Sequence, residues 1–98
     1  MSATRLDQAI EDFLQYIEVV RGYSPHTIAN YKRDLSKLLH FCESHEIHNV
    51  MTLNPSLLRQ WIAALSKQKL AAISIQRHLS STRSLYKFLA RTDSQLDD

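Results

Sequence analysis

One stretch near the end of the sequence concentrates side chains that can bind an anion. Residues 69–89 read "KLAAISIQRHLSSTRSLYKFL", with apolar residues at the spacing of a buried helix face. Because residues three and four apart share a face, a second, polar face collects Ser74, Arg77, His78, Ser81 and Ser84. The neighbouring sequence gives this face no acid. Short hydroxyls let a helix backbone approach phosphates or base edges, and an arginine can donate two parallel hydrogen bonds to guanine or hold a phosphate.

An earlier predicted helix has a polar face of the same chemistry, formed by Thr27, Asn30, Arg33 and Lys37. Two such faces in one small domain favour a DNA-binding protein. The competing interpretation is a helical protein-interaction or adaptor bundle without nucleic acid, in which the serines only keep the last helix soluble.

The charges are distributed unevenly along the chain. The formal net charge is only +2, yet residues 47–92 contain seven Lys or Arg and no Asp or Glu. A half of one sign on a small domain suggests an anionic partner. A solvated basic face without a partner is the alternative.

The sequence contains no complete active site. Cys42, His45 and His48 suggest a zinc site, but a fourth ligand of the usual kind is missing and Cys42 lies on an apolar stripe. A buried structural cysteine is therefore favoured. No nucleophile–base arrangement and no glycine-rich phosphate loop is recognisable. We predict no catalytic residue, no metal ion and no cofactor.

The apolar patterns predict four helices with short connections, an all-α bundle. The predicted ranges are about 5–20, 25–43, 55–66 and 72–91. Thr4, Ser24 and Asn54 are the predicted N-caps, and a proline follows each of the last two. Trp61 and Leu79 are predicted to lie in the core.

Length and composition are consistent with one small domain. The chain has 98 residues, enough for one core. Its single Gly and two Pro are too few for a fold rich in loops or hairpins. A single cysteine allows no internal disulfide, which fits a reducing cytoplasm. No apolar run is long enough for a membrane span, and no signal peptide is recognisable. We expect a cytoplasmic protein without a membrane partner.

Two spaced motifs resemble a known family. The segments "GYSPHTIANYKRDL" and "AISIQRHLSSTRSLYKFL" resemble the helix 2 and helix 4 signatures of tyrosine recombinases of the Xer type, and "NPSLLRQWIAAL" fits the same pattern. The resemblance covers about residues 6–91 and is stronger to the XerC branch than to the XerD branch. It implies the N-terminal core-binding domain, a four-helix SAM-like bundle, over residues 1–92. Residues 93–98 would then begin a linker to a C-terminal catalytic domain that this chain lacks.

The resemblance also implies a function. In this family, helices 2 and 4 face duplex DNA, and the catalytic residues belong to the C-terminal domain. The implied fragment binds a recombination half-site but does not cut it. The parent enzyme would work without a metal or cofactor, in a heterotetramer with partner recombinase protomers, to resolve chromosome dimers at cell division. The same domain of a phage or integron integrase is an alternative.

Matching the motifs residue by residue gives the implied DNA contacts. The resemblance places His26, Thr27 and Asn30 at the start of helix 2, and Ser74, Arg77, His78 and Ser81 on helix 4. Arg33, Lys69 and Lys87 are predicted to meet phosphates, because the two lysines lie near the ends of helix 4, where a helix crossing a groove meets the DNA backbone. Relatives usually carry Leu at position 82, and Thr82 is predicted to bond to the backbone one turn back.

Overall fold

Four helices account for most of the chain. The computed structural model of the protein describes residues 5–50 and 53–97, with side chains described up to residue 91. The helices are α1 (Leu6–Val19), α2 (Pro25–Ser44), α3 (Pro55–Lys67) and α4 (Ala72–Asp97). Within these described ranges the only β-type pairing is an isolated bridge between Arg5 and Asn49. The predicted all-α class is confirmed.

The starts of α2 and α3 follow the sequence signals. The Ser24 hydroxyl accepts a hydrogen bond from the Thr27 amide, and the Asn54 side chain accepts one from the Leu57 amide. Each cap satisfies one of the helix N–H groups that have no partner within the helix, and a proline holds the first helical position. The start of α1 differs, because its N-cap is Arg5, which makes no capping hydrogen bond. The predicted cap Thr4 lies outside the described residues.

The chain leaves each of the first three helices through a residue with positive φ, and Glu46 follows α2 with a φ of 58°. Gly22 follows α1 with a φ of 64°, a conformation that glycine adopts without a Cβ penalty. Lys69 follows α3 with a φ of 62°, although it carries a side chain. The Lys69 amide donates to the Ser66 carbonyl at 2.9 Å, and this hydrogen bond helps to close the turn before α4.

The core is built from the predicted apolar stripes. It centres on Trp61, which is 2% exposed, and includes large apolar side chains from all four helices. Ile47, Val50 and Leu53 of the α2–α3 connection pack against it. Leu79 is only half-buried, so its predicted place in the central core is wrong.

Helices α1, α2 and α4 pack against one another, and α3 packs against α4. An aromatic cluster joins α1, α2 and α4, because the Phe13 ring lies 5.5 Å from Tyr31 and 5.6 Å from Phe88. The hydroxyl of Thr82 donates to the carbonyl of His78 at 2.9 Å, as predicted. The backbone of α4 stays helical to Asp97, and the assignment of residues 93–98 as the beginning of a linker stays a prediction. In the part of the chain that the structure describes, no helix is both long and apolar enough to cross a membrane.

Candidate nucleic-acid interface

A buried carboxylate lies where α4 packs against α2. Asp34 on α2 is only 1% exposed. The Arg77 guanidinium reaches it from α4, with Nε 3.3 Å from each carboxylate oxygen and Nη2 3.1 Å from Oδ1. The Ser81 hydroxyl donates to Oδ2 at 2.8 Å. We call this cluster, formed by Asp34, Arg77, His78 and Ser81, the α2–α4 seam.

The seam corrects the expected exposure of two residues on the serine-rich face of α4. His78 is 1% exposed and Ser81 is 4% exposed, so the prediction that both lie on an open face is wrong. The neighbouring sequence gives this face no acid, and the carboxylate that meets it, Asp34, comes from α2. The short side chain of Ser81 lets α4 come close to α2, and its hydroxyl also satisfies the buried carboxylate.

His78 fills the space between Asp34 and the core. Its ring stacks on Trp61, with the ring centroids 6.0 Å apart and the planes 20° from parallel. Nδ1 lies 2.8 Å from Oδ1 of Asp34, but neither ring nitrogen makes a well-directed hydrogen bond to a described atom. Burial lowers the pKa of His78, and the nearby Asp34 only partly opposes this effect. The ring is therefore neutral near pH 7, and the charge pair of the seam is Asp34 with Arg77.

Arg77 connects the seam to the surface. Its side chain is 47% exposed, whereas that of its partner Asp34 is 1% exposed. Because Nε and one side of Nη2 bind the carboxylate, Nη1 keeps its hydrogens free to donate to a ligand. The arrangement fixes a cation at the surface between two helices.

The other predicted contact residues lie at the surface or close to it. His26, Arg33, Lys69 and Lys87 are exposed, and Thr27, Asn30 and Ser74 are half-buried. Arg33 donates a hydrogen bond to the Asn30 side-chain oxygen, and this contact holds two neighbouring polar groups of α2 together. The Ser24 hydroxyl donates to the Thr27 hydroxyl at 3.0 Å, so the hydrogen of Thr27 stays free to donate.

Asp34 was missed by the sequence interpretation, although a local signal was present. It lies three residues after Tyr31 and four before Leu38, and both belong to the buried stripe of α2. An acid inside an apolar stripe must be paired when it is buried. The absence of acid from residues 72–92 of α4 and the presence of Arg77 among them together indicate the partner.

The possible metal ligands do not converge. Cys42 is buried, whereas His45 and His48 are exposed. Nδ1 of His45 lies 3.0 Å from the carbonyl of Phe41, at the end of α2. Among the residues whose positions are described, no three His, Cys, Asp or Glu side chains come together.

Comparison with known proteins identifies the family. Residues 10–93 match the family described as phage integrase, N-terminal SAM-like domain. A tyrosine recombinase XerC of Halalkalibacterium halodurans is 35% identical over 85 residues, which make up 87% of this chain and 28% of the relative. A tyrosine recombinase XerC of Anoxybacillus flavithermus is 37% identical over 79 residues, or 81% of this chain and 26% of the relative.

A third relative, a tyrosine recombinase XerC of Pseudomonas fluorescens, is 36% identical over 86 residues, or 88% of this chain and 29% of the relative. The chain thus spans less than a third of the length of these relatives. No solved structure gives a significant match. The family match covers most of the four-helix bundle, and the predicted resemblance to Xer-type recombinases is confirmed by these relatives. The chain belongs to the phage integrase N-terminal SAM-like domain family.

Proposed function

We propose that this chain is the DNA-binding N-terminal domain of a site-specific tyrosine recombinase and binds duplex DNA along α2 and α4. The observation that carries the proposal is the half-exposed guanidinium of Arg77, held at the surface by the buried carboxylate of Asp34. Its free N–H groups suit guanine or a phosphate. An adaptor bundle that binds no nucleic acid would have no comparable anionic partner for a cation fixed at its surface.

The dimensions of α4 support this orientation. Arg77 and Lys87 lie ten residues apart, which is about 15 Å along a helix axis. The major groove of DNA is about 12 Å wide, so a helix crossing it brings one cation to base edges and the other to a phosphate. Arg33 and Lys69 extend the predicted phosphate contacts on either side, and His26, Thr27, Asn30 and Ser74 complete the proposed surface. His78 and Ser81 support this surface from the buried side of the seam.

The proposed role of the complete protein is based on its similarity to the XerC relatives. As the N-terminal part of a XerC-like enzyme, the domain orients one half-site while a catalytic domain elsewhere in the protein cuts and joins the strands. The complete enzyme acts in the cytoplasm with partner recombinase protomers to resolve chromosome dimers at cell division. The 98 residues alone bind DNA without cleaving it.

A titration with recombination-site DNA and with scrambled DNA tests the proposal. Arg77→Ala is expected to cost about 1–3 kcal/mol on the site and less on scrambled DNA, because only the site offers the matching base edge. Lys87→Ala is expected to weaken both complexes equally and to lower the salt slope by about one. Arg59→Ala, which removes an exposed charge from α3, is the control and should change neither.

Backbone amide shifts recorded in the same titration identify the surface. Movement centred on α2 and α4, with α3 unaffected, is the expected result. Movement of α1 and α3 with α2 and α4 unaffected contradicts the proposed orientation. Failure of the folded wild-type chain to bind either DNA contradicts the proposed function.

A further inference from the structure

A second concentration of positive charge lies where the start of α2 meets the second half of α4. An open cleft of about 270 Å³ lies between α1, the start of α2 and the second half of α4. We call it the tyrosine notch and define it by Tyr16, Arg21, Tyr31, Ser84, Lys87 and Arg91, which line it together with further aromatic side chains. Among the side chains that the structure describes, no carboxylate lines it.

Two arginines of the notch lie against its tyrosine rings. Nη1 of Arg91 donates to the Tyr16 hydroxyl at 3.0 Å, and its guanidinium carbon lies 5.9 Å from the centre of the same ring. The guanidinium of Arg21 lies over the Tyr23 ring at 5.4 Å. The pKa of Arg21 is raised, chiefly by its interaction with the Tyr16 hydroxyl. Arg91 of α4 and Arg21 of the α1–α2 connection thus lie in the same cleft, each against a tyrosine ring.

This arrangement leaves the charges of the notch uncompensated. In residues 5–50 and 53–91, neither arginine nor Lys87 forms an ion pair with a carboxylate. Like charges held close together repel, and a bound anion removes that repulsion. The contrast with Arg77 is direct, because that arginine has its own buried counter-ion.

The notch also offers hydroxyl groups. The oxygens of Tyr31 and Ser84 lie 3.5 Å apart, and when one donates to the other, the second keeps its hydrogen free. Tyr16 accepts from Arg91, so its own hydrogen can also be donated. Guanidinium, ammonium and hydroxyl donors together are the groups that bind the several oxygens of a phosphate.

We propose that the tyrosine notch binds a phosphate oxyanion through Arg21, Lys87 and Arg91, and that its source is a phosphodiester of duplex DNA. The choice of DNA rests on the proposed function. It is supported by Lys87, which both lines the notch and belongs to the proposed phosphate contacts of α4. The site adds contacts by α1 and the α1–α2 connection to a surface otherwise made by α2 and α4.

The test compares two double variants with equal loss of charge. Arg21→Gln with Arg91→Gln removes the two arginines of the notch, and Arg59→Gln with Lys67→Gln removes two exposed cations of α3. The notch variant is expected to reduce the salt slope of DNA binding by about one and affinity by about eightfold at 0.1 M salt, the contribution of one phosphate contact. The α3 variant should bind as the wild type does. Circular dichroism and thermal unfolding confirm that both variants are folded.

Titration with inorganic phosphate distinguishes the source of the anion. Shifts of the Arg21, Lys87 and Arg91 amides that disappear in the notch variant, together with unchanged DNA binding, assign the site to a free phosphate group and exclude DNA as its source. Absence of both effects overturns the proposal for the notch. In that case DNA binding by the wild type and by the α3 variant still leaves the proposed function intact.

Discussion

Arg77 and Asp34 form a pair in which the acid is buried and the base reaches solvent. The carboxylate is 1% exposed and the arginine side chain is 47% exposed, with Nη2 3.1 Å from Oδ1. Isolating a carboxylate from water is costly unless it is paired with a cation and hydrogen-bonded; Arg77 supplies the cation, and Arg77 and Ser81 supply the hydrogen bonds. The same contacts remove the rotational freedom of the guanidinium, so that a DNA ligand meets a cation that is already oriented.

The pair predicts that Asp34 acts on DNA through Arg77. Removing a negative charge should strengthen DNA binding by simple electrostatics, and the exposed control Asp12→Asn should do so slightly. Asp34→Asn should instead weaken binding, by about tenfold, because the guanidinium loses its orientation; that is about 1.4 kcal/mol, within the usual range for coupled pairs. In an Arg77→Gln background the same change should have no such effect. Equal weakening in both backgrounds, measured on folded protein, shows that Asp34 has only a structural role.

The buried imidazole of His78 predicts a loss of stability in mild acid. Burial lowers its pKa, and the charges of Arg77 and Lys37 act in the same direction against the attraction of Asp34. In the unfolded chain the ring takes up a proton below about pH 6.5. The unfolded state then binds more protons than the folded state, so the free energy of unfolding falls as the pH drops below that value.

Urea unfolding between pH 7.5 and pH 5.5 measures this effect. We expect His78→Asn to be less stable than the wild type at pH 7.5 but to lose less stability over the range. His40→Asn removes an exposed histidine of α2 and should follow the wild type. If His78→Asn and the wild type lose stability in parallel, the ring does not control the pH dependence.

The helix starts could be predicted because their signals are local. Ser24 and Asn54 each precede a proline, and each side chain accepts the hydrogen bond that its position implies. The fold class followed from the same reasoning, since a cap and an apolar stripe of helical period need no knowledge of the partner helix.

The burial of Ser81 and His78 could not be predicted from α4 alone. Serine and histidine are commonly exposed, but Ser81 donates to a carboxylate of another helix and His78 stacks on Trp61 of α3. That carboxylate, Asp34, lies 47 residues before Ser81, so no local pattern links the two. Conversely, Leu79 fitted the apolar stripe of α4 but lies at its edge and is only half-buried. The residue types on one face of a helix therefore do not show whether that face packs against another helix.

Trp61 and Leu79 should differ in their contribution to stability. Trp61 is 2% exposed and stacks on His78, so truncation to Ala should cost about 3–5 kcal/mol. Leu79 is half-buried, and its truncation should cost less than about 2 kcal/mol, the lower limit for a fully buried leucine. Denaturant unfolding of both variants at pH 7.5 checks the order. Equal costs, or a larger cost for Leu79, contradict the described core.

Cys42 should resist modification and should destabilise the fold at high pH. Burial, with a smaller contribution from Glu43, raises the pKa of its thiol to about 11. The folded protein therefore holds very little thiolate at pH 8, and a thiol reagent should react only as fast as the chain opens.

Above about pH 9 the unfolded thiol ionises first, so the unfolded state binds fewer protons and the free energy of unfolding falls until the pH approaches 11. Burial and, to a smaller extent, Cys42 raise the pKa of the Tyr86 phenol as well. Cys42→Ala should abolish part of the alkaline loss, and Tyr86→Phe separates the contribution of the phenol. Rapid labelling of the folded wild type at pH 8, at a rate unaffected by stabilising conditions, contradicts the buried position of this thiol.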